Sequence, residues 1–143
     1  MTQRSVLVSG GSSGIGAAIA RAFMDSGERV IVTGATDAEV QRARAEGLDA
    51  RVLDVRDAAA VGALVYSLET LHVLINCAGV IRRGGAELDP AVFDEVVDIN
   101  LSGTMRVCSA ARPKLAATRG CIVNTASMPV SYTHLTLPTK RIV

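Results

Sequence analysis

Three glycines near the N-terminus, Gly10, Gly14 and Gly16, lie within Ser9-Gly10-Gly11-Ser12-Ser13-Gly14-Ile15-Gly16. In a phosphate-binding turn, the first glycine allows a tight bend. The middle one lets backbone N–H groups approach a pyrophosphate, and the last lets helix and strand pack closely. Ser12, Ser13 and Ile15 complete the turn and join the candidate dinucleotide site. No Gly-Lys-Ser/Thr follows, so a P-loop is excluded. The alternative is a Gly/Ser turn without a ligand. Farther along, Asn100 interrupts an apolar helical stripe, four residues after Val96 and four before Thr104. A buried amide needs partners, so Asn100 is either a structural amide satisfied by backbone or part of a site.

These residues need elements to hold them, and the sequence supplies an alternation of strands and helices. Ser5–Ser9 is a short apolar run that reads as a buried strand, followed at once by the glycines. Ile15, Ile19, Ala22 and Phe23 recur at helical spacing, which predicts a helix from Gly14 to Ser26 closed by Gly27. Arg29–Thr33 is the second strand. Asp37 is expected to cap a helix running through Ala45 and ending at Gly47. Ala50–Leu53 is the third strand, and Asp57 caps a helix with the stripe Val61, Leu64, Val65 and Leu68. His72–Asn76 is the fourth strand. Asp89-Pro90 opens a helical region with a long stripe from Phe93 to Ala111, apolar except at Asn100 and Thr104. Cys121–Thr125 is the fifth strand. This rhythm predicts an α/β, Rossmann-type doubly wound parallel sheet with strand order 3-2-1-4-5, truncated after the fifth strand.

The spacing Gly-x-x-x-Gly-x-Gly resembles the short-chain dehydrogenase/reductase (SDR) family. Asn76-Cys77-Ala78-Gly79 looks like its Asn-Asn-Ala-Gly motif. Asp98-Ile99-Asn100-Leu101 looks like its helix asparagine, and Ile122–Ser127 like the strand that ends in its serine. The resemblance implies hydride transfer between a nicotinamide and an alcohol or carbonyl substrate, such as a 3-oxoacyl or a sugar or polyol compound. It implies that Asp54 and Val55 meet the adenine, and that Ala78 and Gly79 line the cofactor site. Asn76 would support the strand end and line the same pocket. Ser127 would hydrogen-bond the substrate oxygen, and Asn100 would bend its helix and hold a water in a proton relay. A strand-cap serine is the plainer reading of Ser127. The family also needs Tyr-x-x-x-Lys about a dozen residues after that serine. Tyr132 comes too early and is followed at that spacing by Thr136, so the family's roles do not pass to Tyr132 or Lys140. A non-catalytic dinucleotide-binding module is the rival reading.

The cofactor expected is NADP or NAD. After the second strand the acidic position expected of an NAD user falls on Gly34, followed by Ala35 and Thr36. No acid there would repel a 2′-phosphate, which leans toward NADP, although Asp37 lies near. Residues 1–128 read as an incomplete dinucleotide-binding domain. The stretch 129–143 breaks the pattern, and Val130–Thr139 resembles translated adapter sequence from short-read DNA library preparation. That tail is therefore assigned no function. The net charge of +1 is scattered, which argues against a nucleic-acid face. The three cysteines, Cys77, Cys108 and Cys121, are far apart and read as reduced core thiols. No apolar run suits a membrane span. The expectation is a cytoplasmic protein without a metal site, whose intact parent is a homo-oligomer acting on a small molecule.

Overall fold

The computed structural model describes residues 3–126. Ser127 and the 129–143 tail lie outside the described residues. Five strands, β1 (Ser5–Ser9), β2 (Arg29–Gly34), β3 (Asp49–Val52), β4 (Val73–Asn76) and β5 (Cys121–Asn124), form one sheet in the order β3-β2-β1-β4-β5. All four pairings are parallel. Five helices connect them: α1 (Gly14–Asp25), α2 (Asp37–Ala45), α3 (Ala58–Ser67), α4 (Pro90–Val97) and α5 (Thr104–Thr118).

Strands buried on both faces need apolar residues at successive positions, and β1 shows why. Val6 and Val8 point to one face, against Ala17 and Ala20 of α1 and Val40 and Ala43 of α2. Leu7, between them, points to the other face, with Val61 and Val65 of α3 and Val107, Ala111 and Leu115 of α5. Small residues on α1 and α2 let the helices approach the sheet closely. Aromatic residues make up only 3% of the sequence, and the core is built from branched aliphatics and alanines.

Helix ends follow side-chain chemistry. Asp57 accepts from the Ala60 N–H at the start of α3, and Asp89 accepts from the Ala91 N–H at the start of α4. Gly27 closes α1 as expected, with its N–H bonded to Met24 O and that of Glu28 to Phe23 O. At α2 the expectation needs correction, because the cap is Thr36 and not Asp37. The Thr36 hydroxyl accepts from the Glu39 N–H and the Glu39 carboxylate accepts from the Thr36 N–H. This reciprocal box satisfies two otherwise orphaned donors, which Asp37 inside the first turn cannot do.

The helical region after Asp89 departs from a regular α-helix around Asn100, where the resemblance implied a bend. Between α4 and α5 the backbone widens into a π-helical segment, Asp98–Gly103. The buried Gly103 there lies so close to Val55 that an added Cβ would stand 2.5 Å from Val55 Cγ2. Among the described residues α4 buries none of its residues.

Candidate functional site

A cleft of about 520 Å³ opens along the C-terminal ends of β1 to β4. Strand order reverses between β1 and β4, where a doubly wound sheet leaves a crevice. The glycine turn leads from β1 into α1 across this crevice. Gly10 and Gly16 are glycines because other atoms are too near. A Cβ on Gly10 would stand 2.4 Å from Ala78 N, and one on Gly16 would stand 2.3 Å from Gly10 O. Gly14 has the opposite surroundings. Its φ is +54° and nothing lies within 4 Å of where a Cβ would be, so its exposed side is free for a ligand's approach.

The turn is held from below. Thr33 Oγ1 accepts from the Gly10 N–H at 3.1 Å, and the Ser12 N–H donates to Thr33 O at 3.2 Å. The first N–H groups of α1 have no carbonyl one turn back, and the Ser13 side chain does not cap them. Together with the positive end of the helix dipole they make a place for an anion.

Most of the residues singled out by sequence meet here. Gly10, Ser12, Ser13, Ile15, Gly16, Asp54, Val55, Asn76, Ala78, Gly79 and Asn100 all line the cleft. Gly14 lines a smaller adjoining hollow instead. Ser127 falls outside the described residues.

Asn76 is 4% exposed. Its Nδ2 donates to Asn124 Oδ1 at 2.8 Å and lies 3.2 Å from Cys108 Sγ, tying β4 to β5. Its Oδ1 has no partner among the described residues, in the wall of the cleft. A buried amide oxygen left open in this way fits a site that takes a polar ligand. Cys77, next in the chain, turns to the other side of the sheet, where Thr125 Oγ1 lies 3.4 Å from its sulfur.

Asn100 departs from its expected burial and lies exposed within the π-helical segment. Its amide is nevertheless engaged on both sides by the backbone. Oδ1 accepts from the Val80 N–H at 2.8 Å, and Nδ2 donates to Val80 O at 2.9 Å. Gly79 makes room for this clasp, since a Cβ there would stand 3.3 Å from Asn100 Oδ1. The asparagine therefore sets the path of the chain as it leaves β4.

Asp54 is gripped by Arg56, whose backbone N–H and guanidinium both donate to its carboxylate. These side-chain hydrogen bonds hold its carboxyl below the usual carboxylate range, against a smaller opposing effect of burial. Further ion pairs run from Arg56 to Glu95 and from Glu95 to Arg82, joining the loop after β3 to α4. Arg106 Nη2 meets Asp98 Oδ1 at 2.6 Å across the π-helical segment.

Glu39 is a cleft residue that sequence reasoning passed over. A side chain at Gly34 would collide with Ser12 Oγ at 2.8 Å and approach Glu39 Cβ at 3.1 Å. Glu39, reaching over from α2, thus takes up part of the room that an acidic residue at the end of β2 would fill. Its signal was present as Thr36-x-x-Glu39, a capping-box pattern. Among the described residues no group of histidine, cysteine or acidic side chains is placed to hold a metal ion. No helix among them is long and apolar enough to cross a membrane.

Comparison with known proteins agrees with this geometry. The model of the short chain dehydrogenase family matches residues 4–136, ending inside the stretch that the sequence pattern set apart. D-threitol dehydrogenase of Mycolicibacterium smegmatis is 39% identical over 138 residues, covering 85% of this chain and 51% of that protein. A 3-alpha-(or 20-beta)-hydroxysteroid dehydrogenase of Mycobacterium bovis is 36% identical over 132 residues, covering 85% and 50%. A crystal structure of an actinorhodin polyketide ketoreductase variant with NADPH superposes with a TM-score of 0.80 at 31% identity, covering 90% of this chain and 55% of that one. The aldohexose dehydrogenase of Thermoplasma acidophilum gives a TM-score of 0.78 at 30% identity, covering 87% and 49%. The chain spans about half the length of the relatives it matches.

Proposed function

Because the chain belongs to the short-chain dehydrogenase/reductase family, we propose that it binds a nicotinamide dinucleotide, NADP(H) in preference to NAD(H). Its parent protein would be an oxidoreductase that acts on an alcohol or carbonyl group of a small molecule, a 3-oxoacyl or a sugar or polyol compound. The observation that carries this reading is the glycine turn, whose uncapped helix end faces the crevice where strand order reverses. A bound nicotinamide supplies or accepts the hydride. The chain's own residues bind and orient. Gly10, Gly14 and Gly16 let the backbone meet the pyrophosphate, with Ser12, Ser13 and Ile15 in the same turn. Asp54 and Val55 border the adenine end. Asn76, Ala78 and Gly79 border the nicotinamide end, and Asn100 fixes the adjoining loop through Val80. Ser127 would hold the substrate oxygen. Cys77, Cys108 and Cys121 are free thiols, which supports a reducing, cytoplasmic setting, but they are not all core thiols, since Cys121 is exposed on β5 and the other two are half-buried. The parent is read as a homo-oligomer, and the stretch 129–143 contributes nothing to the function.

For this chain itself we infer binding without turnover. Reduction of a carbonyl needs a proton delivered to its oxygen, and such general acid–base groups contribute about 100- to 10,000-fold. No Tyr-x-x-x-Lys follows Ser127. Calorimetric titration with NADPH and NADH should show binding to the wild-type chain and none to Gly14→Val, in which a branched side chain stands where the pyrophosphate approaches. Assays with alcohols and ketones should show no turnover. Equal binding before and after the substitution would mean that the turn is not the phosphate site. Turnover that vanishes in Ser127→Ala would overturn the inactivity.

A further inference from the structure

Where the chain leaves β3, the cleft is lined by two charged side chains, Asp54 and Arg56. They are also each other's partners. Asp54 Oδ1 accepts from the Arg56 backbone N–H at 2.9 Å and from its Nε at 3.0 Å. Oδ2 accepts from Nε at 3.0 Å and from Nη2 at 2.6 Å. An ionised carboxylate has about four acceptor sites and no donor, so Arg56 occupies the whole of it. The arginine is not exhausted in return. Its Nη1 makes no hydrogen bond among the described residues, and Glu95 Oε1 stands 3.9 Å from it, beyond hydrogen-bonding range. Leu53, Val55, Val80 and Ile81 line the same cleft with apolar side chains. Glu39, the other carboxylate of the lining, turns to the Thr36 N–H in the capping box. The side chains after β3 therefore present N–H donors and withhold their acceptor.

We propose that the base end of the cleft does not select for the 6-amino group of adenine and takes a 6-oxopurine dinucleotide at least as well, with Arg56 setting that specificity. The proposal rests on the dinucleotide reading above and deepens it. The exocyclic amine of adenine is a donor and needs an acceptor. To reach Asp54 it has to displace Arg56. That exchanges a charge-assisted fork for a neutral N–H bond about half as strong. Both side chains are part-exposed, but Arg56 lies two residues away and holds Asp54 partly by its own backbone N–H, so keeping the pair closed costs little freedom. Their side-chain hydrogen bonds hold the Asp54 carboxyl below its ordinary range and push the Arg56 guanidinium above its own, so both stay charged near neutral pH. A 6-oxopurine reverses the demand. Its O6 is an acceptor and meets the N–H groups that Arg56 has left over.

The test titrates NADH and NADPH calorimetrically into the 143-residue chain, each beside its hypoxanthine analogue, which differs only at the purine 6-position. The wild-type chain should bind each analogue at least as tightly as the adenine form. Arg56→Met keeps an apolar stem and frees the Asp54 carboxylate. That variant should prefer adenine about tenfold, the low end for a hydrogen bond to a charged group, as suits a part-exposed site. Adding Asp54→Ala to it should abolish the preference. Each ratio is taken within one protein, so a change in stability does not enter it, and the wild-type ratio decides alone if a variant fails to fold. A wild-type preference for adenine of about threefold or more overturns the proposal while the dinucleotide reading stands. An unchanged ratio in Arg56→Met overturns it too, as does an adenine preference that survives the loss of Asp54. If the wild-type chain binds none of the four, the dinucleotide reading falls and this proposal falls with it.

Discussion

Asp54 illustrates how much one residue's neighbours decide. Its place after the third strand was read from a motif, but its ionisation follows from Arg56, two residues on. The folded-state pKa lies below the ordinary value, so the pairing contributes stability at pH values above about 3.9, where the unfolded chain is ionised. That contribution is lost as pH falls through the lowered folded value. Asp54→Asn should therefore lower the thermal midpoint at pH 7 and leave the difference from wild type much smaller in strong acid. A gap of the same size at both pH values would mean that the carboxylate acts through packing and not charge. The glycine turn was legible at this scale because each glycine answers a local steric demand that spacing alone encodes. Asn100 was only partly legible. Its polar interruption of an apolar stripe marked it, but its clasp on Val80 depends on a loop that comes 20 residues earlier.

At the scale of elements, alternating apolar runs and helical stripes placed all five strands and the helices between them, with boundary differences of a residue or so. What pattern could not supply was local backbone choice. The stripe from Phe93 to Ala111 is broken at Asn100, where the resemblance implies a bend, and the π-helical segment Asp98–Gly103 lies there, although periodicity does not give its form. That widening answers a tertiary demand, the approach of Gly103 to Val55. The cap of α2 was a different kind of miss, because Thr36 and Glu39 carry a recognisable pattern and Asp37 merely stood nearer the apolar positions. Thr36→Ala should destabilise the chain by about 1 kcal/mol, the usual cost of a lost N-cap, read as a lower urea midpoint. Asp37→Ala should cost less. The reverse ranking would return the cap to Asp37.

At the scale of the molecule, among the described residues, helices cover the flanks of the sheet fully only as far as β4. Among the described residues β5 pairs with β4 alone, and Ile122 and Val123 remain 41% and 51% exposed. Leu74 and Ile75, their partners on β4, are buried to within a few per cent, so the same kind of strand is covered one position inward. An apolar edge with unpaired N–H and C=O groups is a template for pairing with another chain. The relatives are about twice as long as the part matched here. We therefore expect the 143-residue chain to self-associate as its concentration rises. Lysines at Ile122 and Val123 should suppress that association, because a paired edge would have to bury their charges. Light scattering across a dilution series, with nucleotide binding as the check on folding, separates the outcomes. A wild-type chain that stays monomeric throughout would show that the β5 edge is protected. Association undiminished in the lysine variant would place the contact elsewhere, with exposed Phe93, Leu101 and Met105 around the π-helical segment as the next surface to substitute.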